Sequence, residues 1–476
     1  MEEPSAGSGC PNCAVLQAVV DELRQQVETL ATEVRDLRER LNRNSSNSSR
    51  PPSTDPPWQP KPNRNKPSGK KRGGQPGHPG HRRGHLPPDR VDARYEYFPE
   101  CCSHCARSLP EDLPAEEGAW THQVWELPEV RPFVTEHVRR ACRCPACGKR
   151  TWAKLPPGVP ESGTGPRFQA AVSLLTGYGQ MSRRKVQGCL TSWFTVPLAL
   201  GTISKIERRT AAALAPAMQE VTAAIQAAPV VYSDETRWRE GATKPWLWAL
   251  STAQACLFRL MDHRDRETFQ ALFGPDRDDR VLVSDRYSAY FSLPAERHGF
   301  CWAHLDRDFL AVAESNDPLA FLGRYALDEV DAVFAQWHAF RAGALNRAGL
   351  QAAVRPVQAR LRTWITWGIA AGGKKLSGFF KQVEKHWESL WVFATTEGVA
   401  PTNNQSERLL REGVRWRKTS YGTQSAAGRQ YAERMLTVTG TLRLQKRSVY
   451  DFLVEAGQAA LGCGVMPRML LPLPEP

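Results

Sequence analysis

Residues 229–262 read PVVYSDETRWREGATKPWLWALSTAQACLFRLMD, and residues 280–290 read RVLVSDRYSAY. VVY (230–232) and VLV (281–283) are short β-branched runs, the pattern of strands buried on both faces. KPWLWALST and ACLFRLMD predict two further strands, and RETFQALFG predicts a helix before the fourth. An aspartate closes the first run and another the fourth: Asp234 and Asp285. A carboxylate just past a buried strand is held rigidly, as a metal site requires. Aspartate after a strand is also ordinary turn chemistry, so a third ligand decides between the two readings.

The third is Glu407 in TNNQSERLLR (402–411), a polar segment with helical spacing. Between it and the strands, residues 301–394 turn helical and carry Trp337, Trp364, Trp367, Trp387 and Trp391. Three hard oxygen donors at strand and helix ends suit Mg²⁺ or Mn²⁺ rather than zinc. Arg408, Arg411, Arg415, Arg417 and Lys418 follow Glu407 and are candidate phosphate contacts. Three antiparallel-type strands, a helix and a further strand describe a ribonuclease-H-like core in which the two acid-bearing strands are neighbours. Cys301 and His304 form a CxxH pair for which the sequence shows no partner pair.

Upstream, residues 160–227 are helical. SRRKVQGCLTSWF, a break at TVPL and ALGTISKIERRTAAAL form a helix-turn-helix pattern whose second helix offers Thr202, Ser204 and Lys205 to DNA. Residues 91–158 carry Cys102-x2-Cys105 and Cys144-x2-Cys147, four thiolates that suit one structural, tetrahedral Zn²⁺. HQVWELPEV and FVTEHVRRACRC read as strands of a zinc ribbon, and Cys101 and Cys142 are alternative ligands. Residues 44–90 form a basic linker without regular structure. No acid occurs from Pro56 to Pro88, while Lys70, Lys71, Arg72, Arg82 and Arg83 can lie along phosphates.

Leu16, Val20, Leu23, Val27, Leu30, Val34, Leu37 and Leu41 alternate spacings of four and three. That is the a/d seam of a coiled coil over residues 14–43, which predicts pairing with a second copy of the chain. Cys10 and Cys13 precede it as an unassigned CxxC pair, and residues 446–476 read as a C-terminal helix and tail.

The blocks SDETRW, SDRYSAY, CWAHLDRDF and TNNQSERLLREGVRWRKTSYGT resemble those of the insertion-sequence-66 family of DDE transposases. SSNSSRPPS, GGQPGHPGH and the paired CxxC elements resemble that family's N-terminal half in the same order. The resemblance implies that Asp234, Asp285 and Glu407 are the catalytic triad and hold two Mg²⁺ (or Mn²⁺) ions. It implies cleavage at transposon ends and transfer of the 3′-OH strand to target DNA, with possible accessory proteins encoded by the element. Two positions depart from the family pattern: Arg286 stands where glycine usually follows the second aspartate, and LDRD follows His304 in place of a more basic run. The catalytic domain is expected over 228–300 and 395–445, interrupted by the helical insertion at 301–394. A nuclease or resolvase without strand transfer, and a catalytically inactive zinc-dependent DNA-binding protein, are the competing readings.

The 476-residue chain has 63 Lys and Arg against 50 Asp and Glu, a net charge of +13, which favours a nucleic-acid partner. No apolar run approaches the ~18 residues of a spanning helix, and MEEPSAGSG lacks the apolar core of a signal peptide. A cytoplasmic, nucleoid-associated bacterial protein is therefore expected, its twelve cysteines reduced or metal-bound.

Overall fold

The structure, a computed structural model, describes residues 11–42, 84–110 and 121–471. Lys70, Lys71, Arg72, Arg82, Arg83 and Cys10 lie outside the described residues. The chain divides into two compact units, Pro62–Pro132 and the remainder, so the two CxxC pairs belong to different units.

In the larger unit, α1 (Pro11–Asn42) is a single 32-residue helix. The described seam residues Val20, Leu23, Val27, Leu30, Val34 and Leu37 are all exposed. A hairpin of β1 (Ala141–Arg143) and β2 (Arg150–Trp152) frames the second CxxC pair. The expected ribbon strands are shorter than the sequence suggested: among the described residues, 121–140 carry no strand. Alternation makes a segment extended, but a strand exists only where a neighbour completes its ladder.

Then come α2 (Pro166–Ser173), extended by a π-helical turn at Leu174–Tyr178, α3 (Arg183–Phe194), α4 (Leu200–Ala213) and α5 (Ala215–Ala227). Ser182 caps α3 by accepting from the Lys185 amide, and Thr195 ends it in the left-handed region at φ 54°. Val186 and Leu190 of α3 pack on Ile203 and Ile206 of α4, giving the predicted helix pair its own small core.

The sheet follows: β3 (Val230–Arg237), β4 (Trp246–Ser251), β5 (Cys256–Met261), α6 (Arg266–Phe273), β6 (Val281–Ser284) and β7 (His298–Phe300). Its order is β5-β4-β3-β6-β7. β3, β4 and β5 are antiparallel neighbours, whereas β6 runs parallel to β3 and β7 parallel to β6. The apolar runs are continuous because both faces are covered. Val231 and Leu282 join one core; Tyr232, Val281 and Val283 join the other. The fully buried Arg280 anchors the start of β6 by donating to the carbonyls of Ile225, Ala228, Phe273 and Pro275. Ile225, Ala228 and Phe273 lie at the C-terminal ends of α5 and α6, where carbonyls run out of partners along the helix.

Beyond β7 lie α7 (Trp302–Ala313), α8 (Phe321–Arg341), α9 (Arg347–Ala371), α10 (Lys374–Lys385) and the short α11 (Val392–Thr395). They pack around Trp302, Leu305, Phe309, Phe380 and Trp391 against one sheet face. The other face is covered by α13 (Ala426–Leu444), with α12 (Asn404–Ser420) and α14 (Val449–Ala460) beside it. Thr437 and Thr441 of α13 donate to the carbonyls of Phe258 and Cys256 and accept from their amides, satisfying the edge strand β5. Among the described residues no helix is long and apolar enough to cross a membrane.

Candidate functional site

β3 and β6 pair in parallel as far as Tyr232 and Val283. Continuing that register two residues brings Asp234 level with Asp285. Asp285 does close its strand, but Asp234 lies inside β3, which pairs with β4 on to Arg237. The expectation that Asp234 follows the end of its strand is thus corrected: only the parallel partner stops there. The backbone separates on one side while the antiparallel ladder keeps Asp234 rigid on the other.

Glu407 enters from the first turn of α12. The Asn403 side-chain amide donates to the Ser233 carbonyl at 2.6 Å, and Ser406 exchanges a 2.8 Å hydrogen bond with Ser251 of β4. Gln405 donates to the Thr252 carbonyl. These three contacts clamp the helix start to β3 and β4, next to the residue that precedes Asp234. NNQSE thus contains its own positioning groups, which the sequence shows only as polar residues.

The electrostatics confirm that the acids share one neighbourhood. Burial pushes the Asp234 carboxyl well above its ordinary range, and the charges of Glu235, Asp285 and Glu407 push it further. Burial also raises Asp285, against the Tyr287 amide, Arg264 and Arg286, which favour its charged form. Glu407 Oε1 is buried and has no hydrogen-bond partner. Asp234, Asp285 and Glu407 are hard oxygen donors, and the like charges that raise Asp234 are what a divalent cation relieves, so the set fits Mg²⁺.

Two further residues belong to this site. Glu235, its side chain 1% exposed, receives Arg264 at 2.5 Å and the Tyr290 hydroxyl. Arg264 also stands 3.9 Å from Asp285 Oδ2 and stacks over the Tyr287 ring. The DE pair in SDETRW was the available sign of a second buried acid. Its arginine came from a loop that no motif marks.

The two departures from the family pattern meet each other. Arg286 pairs with Asp308 of LDRD at 2.5 Å, tying the end of β6 to α7. The replacement charges compensate one another beside Asp285. On the same helix, His304 Nδ1 lies 3.6 Å from Glu407 Oε1.

The expected basic contacts divide. Arg408, Arg411 and Lys418 are exposed on α12. Arg415 is engaged by Glu412, and Arg417 donates to the Arg237 carbonyl, so neither is presented unpaired. In α4, Lys205 is exposed while Thr202 and Ser204 are half-buried. A cavity of about 670 Å³ opens between α8 and the start of α12, lined by Tyr232, Trp337, His338, Arg341, Asn404 and Arg408 among others.

The two CxxC turns are locally alike. The Cys102 amide donates to the Arg107 carbonyl and its carbonyl accepts from Ala106; Cys144 does the same with Lys149 and Gly148. Ala106 and Gly148 are both left-handed, at φ 56° and 70°. The amides and thiol that turn toward Cys102 and Cys144 lower both thiols from their ordinary range.

Comparison with known proteins agrees with this organisation. The profile of a family of unknown function, DUF6444, matches residues 1–84. An uncharacterized protein, y4hP, of Sinorhizobium fredii is 24% identical over 384 residues, covering 73% of this chain and 68% of that protein. The profile described as transposase IS66 family matches residues 183–431, just over half of the chain, and spans Asp234, Asp285 and Glu407. The chain therefore belongs to the IS66 family of transposases.

Proposed function

We propose that this transposase cleaves at transposon ends and joins the freed 3′-OH strand to target DNA, using Asp234, Asp285 and Glu407 as its catalytic carboxylates. The observation that carries the proposal is the meeting of these three acids, from β3, β6 and α12, in one desolvated, mutually repelling cluster. The sheet order, with three antiparallel strands followed by two parallel ones, supports a ribonuclease-H-like core.

Two Mg²⁺ ions bound there would activate the attacking oxygen and stabilise the leaving 3′ oxygen of an in-line displacement. The protein's own residues supply the rest. Asp234 and Asp285 offer oxygens from rigid strands, and Asn403 and Ser406 hold Glu407 at the edge of the pair. Arg264 pairs with Glu235 beside Asp234 and opposes the burial and the Asp285 charge that raise the Glu235 carboxyl. Arg408 and Arg341 at the adjoining cavity are placed to meet a phosphodiester backbone.

DNA contact is further proposed for the exposed cations of α4 and α12 and for the basic residues 70–83. Zinc is proposed as the ion for the thiolates of the CxxC turns, Cys102 with Cys105 and Cys144 with Cys147, each turn with its backbone already shaped for a metal. Homo-oligomerisation is proposed through α1, whose seam is exposed along the described residues.

The test uses a pre-cut transposon end, Mg²⁺ and plasmid target. Asp234→Asn is expected to lower joining by several orders of magnitude while end binding persists, since phosphoryl transfer here is positioning and charge stabilisation. Unchanged joining would remove Asp234 from the triad. Cleavage of an intact end without joining in the unaltered protein would favour the nuclease reading.

A further inference from the structure

Cys301 and His304 have no part in the chemistry above, yet the fold delivers both to its edge. Cys301 is the residue before α7 and His304 stands in its first turn, so the CxxH spacing puts both at one helix end. The Cys301 sulfur, a ring nitrogen of His304 and a carboxylate oxygen of Glu407 all lie within 4.8 Å of one another. His304 Nδ1 and Glu407 Oε1 are 3.6 Å apart, beyond hydrogen-bond range, and both are buried atoms without a partner. Two such atoms side by side can both donate electron pairs to a single acceptor.

The chemistry of the set is specific. Thiol sulfur and imidazole select zinc-class ions over magnesium. Tetrahedral zinc bonds of ~2.0–2.3 Å hold ligand atoms roughly 3.3–3.6 Å apart, a spacing the His304–Glu407 pair already has. The Asn403 amide donates to the Cys301 sulfur at 3.2 Å, the kind of outer contact that orients a metal thiolate. Three protein ligands leave the fourth tetrahedral position open.

We propose that Cys301, His304 and Glu407 form a site for a zinc-class divalent ion, which competes with magnesium for Glu407. The competition rests on Glu407 being catalytic; the binding does not.

Cobalt(II) titrated into the full-length protein is the probe, read by its thiolate charge-transfer band. The expected result is one more sulfur-bound cobalt in the unaltered protein than in Cys301→Ser, the CxxC pairs cancelling in the difference. His304→Asn should weaken that cobalt by more than the ~10–100-fold that outer partners cost, and it carries the comparison should Cys301→Ser fold poorly. Equal stoichiometry and affinity in all three proteins would overturn the site. In a second arm, zinc is added to magnesium-dependent joining. Inhibition should require roughly tenfold more zinc in Cys301→Ser; equal sensitivity would overturn the competition. If Glu407→Gln leaves joining intact, the triad reading fails while the cobalt result stands.

Discussion

The sheet and α1 carry equally regular apolar patterns and meet opposite fates. Val231 of β3 and Leu282 of β6 are 0% exposed, while Leu23 and Leu30 of α1 are 53% and 58% exposed. A period in a sequence says which residues need burial and not what will bury them. In the sheet, α13 and the helices α7–α11 from the same chain cover both faces. In α1, the heptad spacing asks for a partner helix.

That contrast is open to direct attack. Leu282→Ala should cost about 2–5 kcal/mol, lowering the main unfolding transition, because the site lies between helices that cannot collapse onto it. Lys at both Leu23 and Leu30 should leave that transition in place and instead reduce the mass seen by light scattering to that of a monomer. A drop in the main transition of the second variant would mean that α1 packs on its own chain.

The carboxylate cluster sharpens the comparison from inside the core, where burial works against the residue. Burial raises the folded pKa of Asp234, so the folded protein binds its proton more tightly than the unfolded chain does. The Asp234 contribution to metal-free stability is therefore fullest below the ordinary aspartate range and declines as pH rises through the raised value. Asp234→Asn should remove this decline and raise the unfolding temperature of the metal-free protein at neutral pH. Added Mg²⁺ should narrow the difference. An identical pH profile for the two metal-free proteins would contradict a raised Asp234 carboxyl.

The smallest effect is expected at Arg286 and Asp308. Their side chains are 19% and 40% exposed, so solvent screens the pair, and a double-mutant cycle should give about 0.5–1 kcal/mol of coupling. Zero coupling would leave the two departures from the family pattern as unrelated substitutions.

Much of the core was legible because its strands bury both faces and so spell out unbroken apolar runs. VVY, WLWAL, CLF and VLV all became strands, and SRRKVQGCLTSWF became α3. The strand His298–Phe300 was not read, since three residues carry no period. The strands expected over 122–140 did not form, because alternation specifies an extended chain but not its partner. Glu407 was found through the blocks around it, and Glu235, Arg264, Asn403 and Ser406 only through their contacts.

By itself, the sequence determined most elements of the core, the basic balance of the chain and the three acids of its transposase blocks. Those depend on residue type and local spacing, which are properties of neighbours along the chain. The tertiary structure alone decided that Asp234 lies within its strand and that Arg286 meets Asp308. It also decided that Glu407 faces both the aspartates and the Cys301–His304 turn. The last two join residues separated by an inserted helix or strand, where only packing sets the distance.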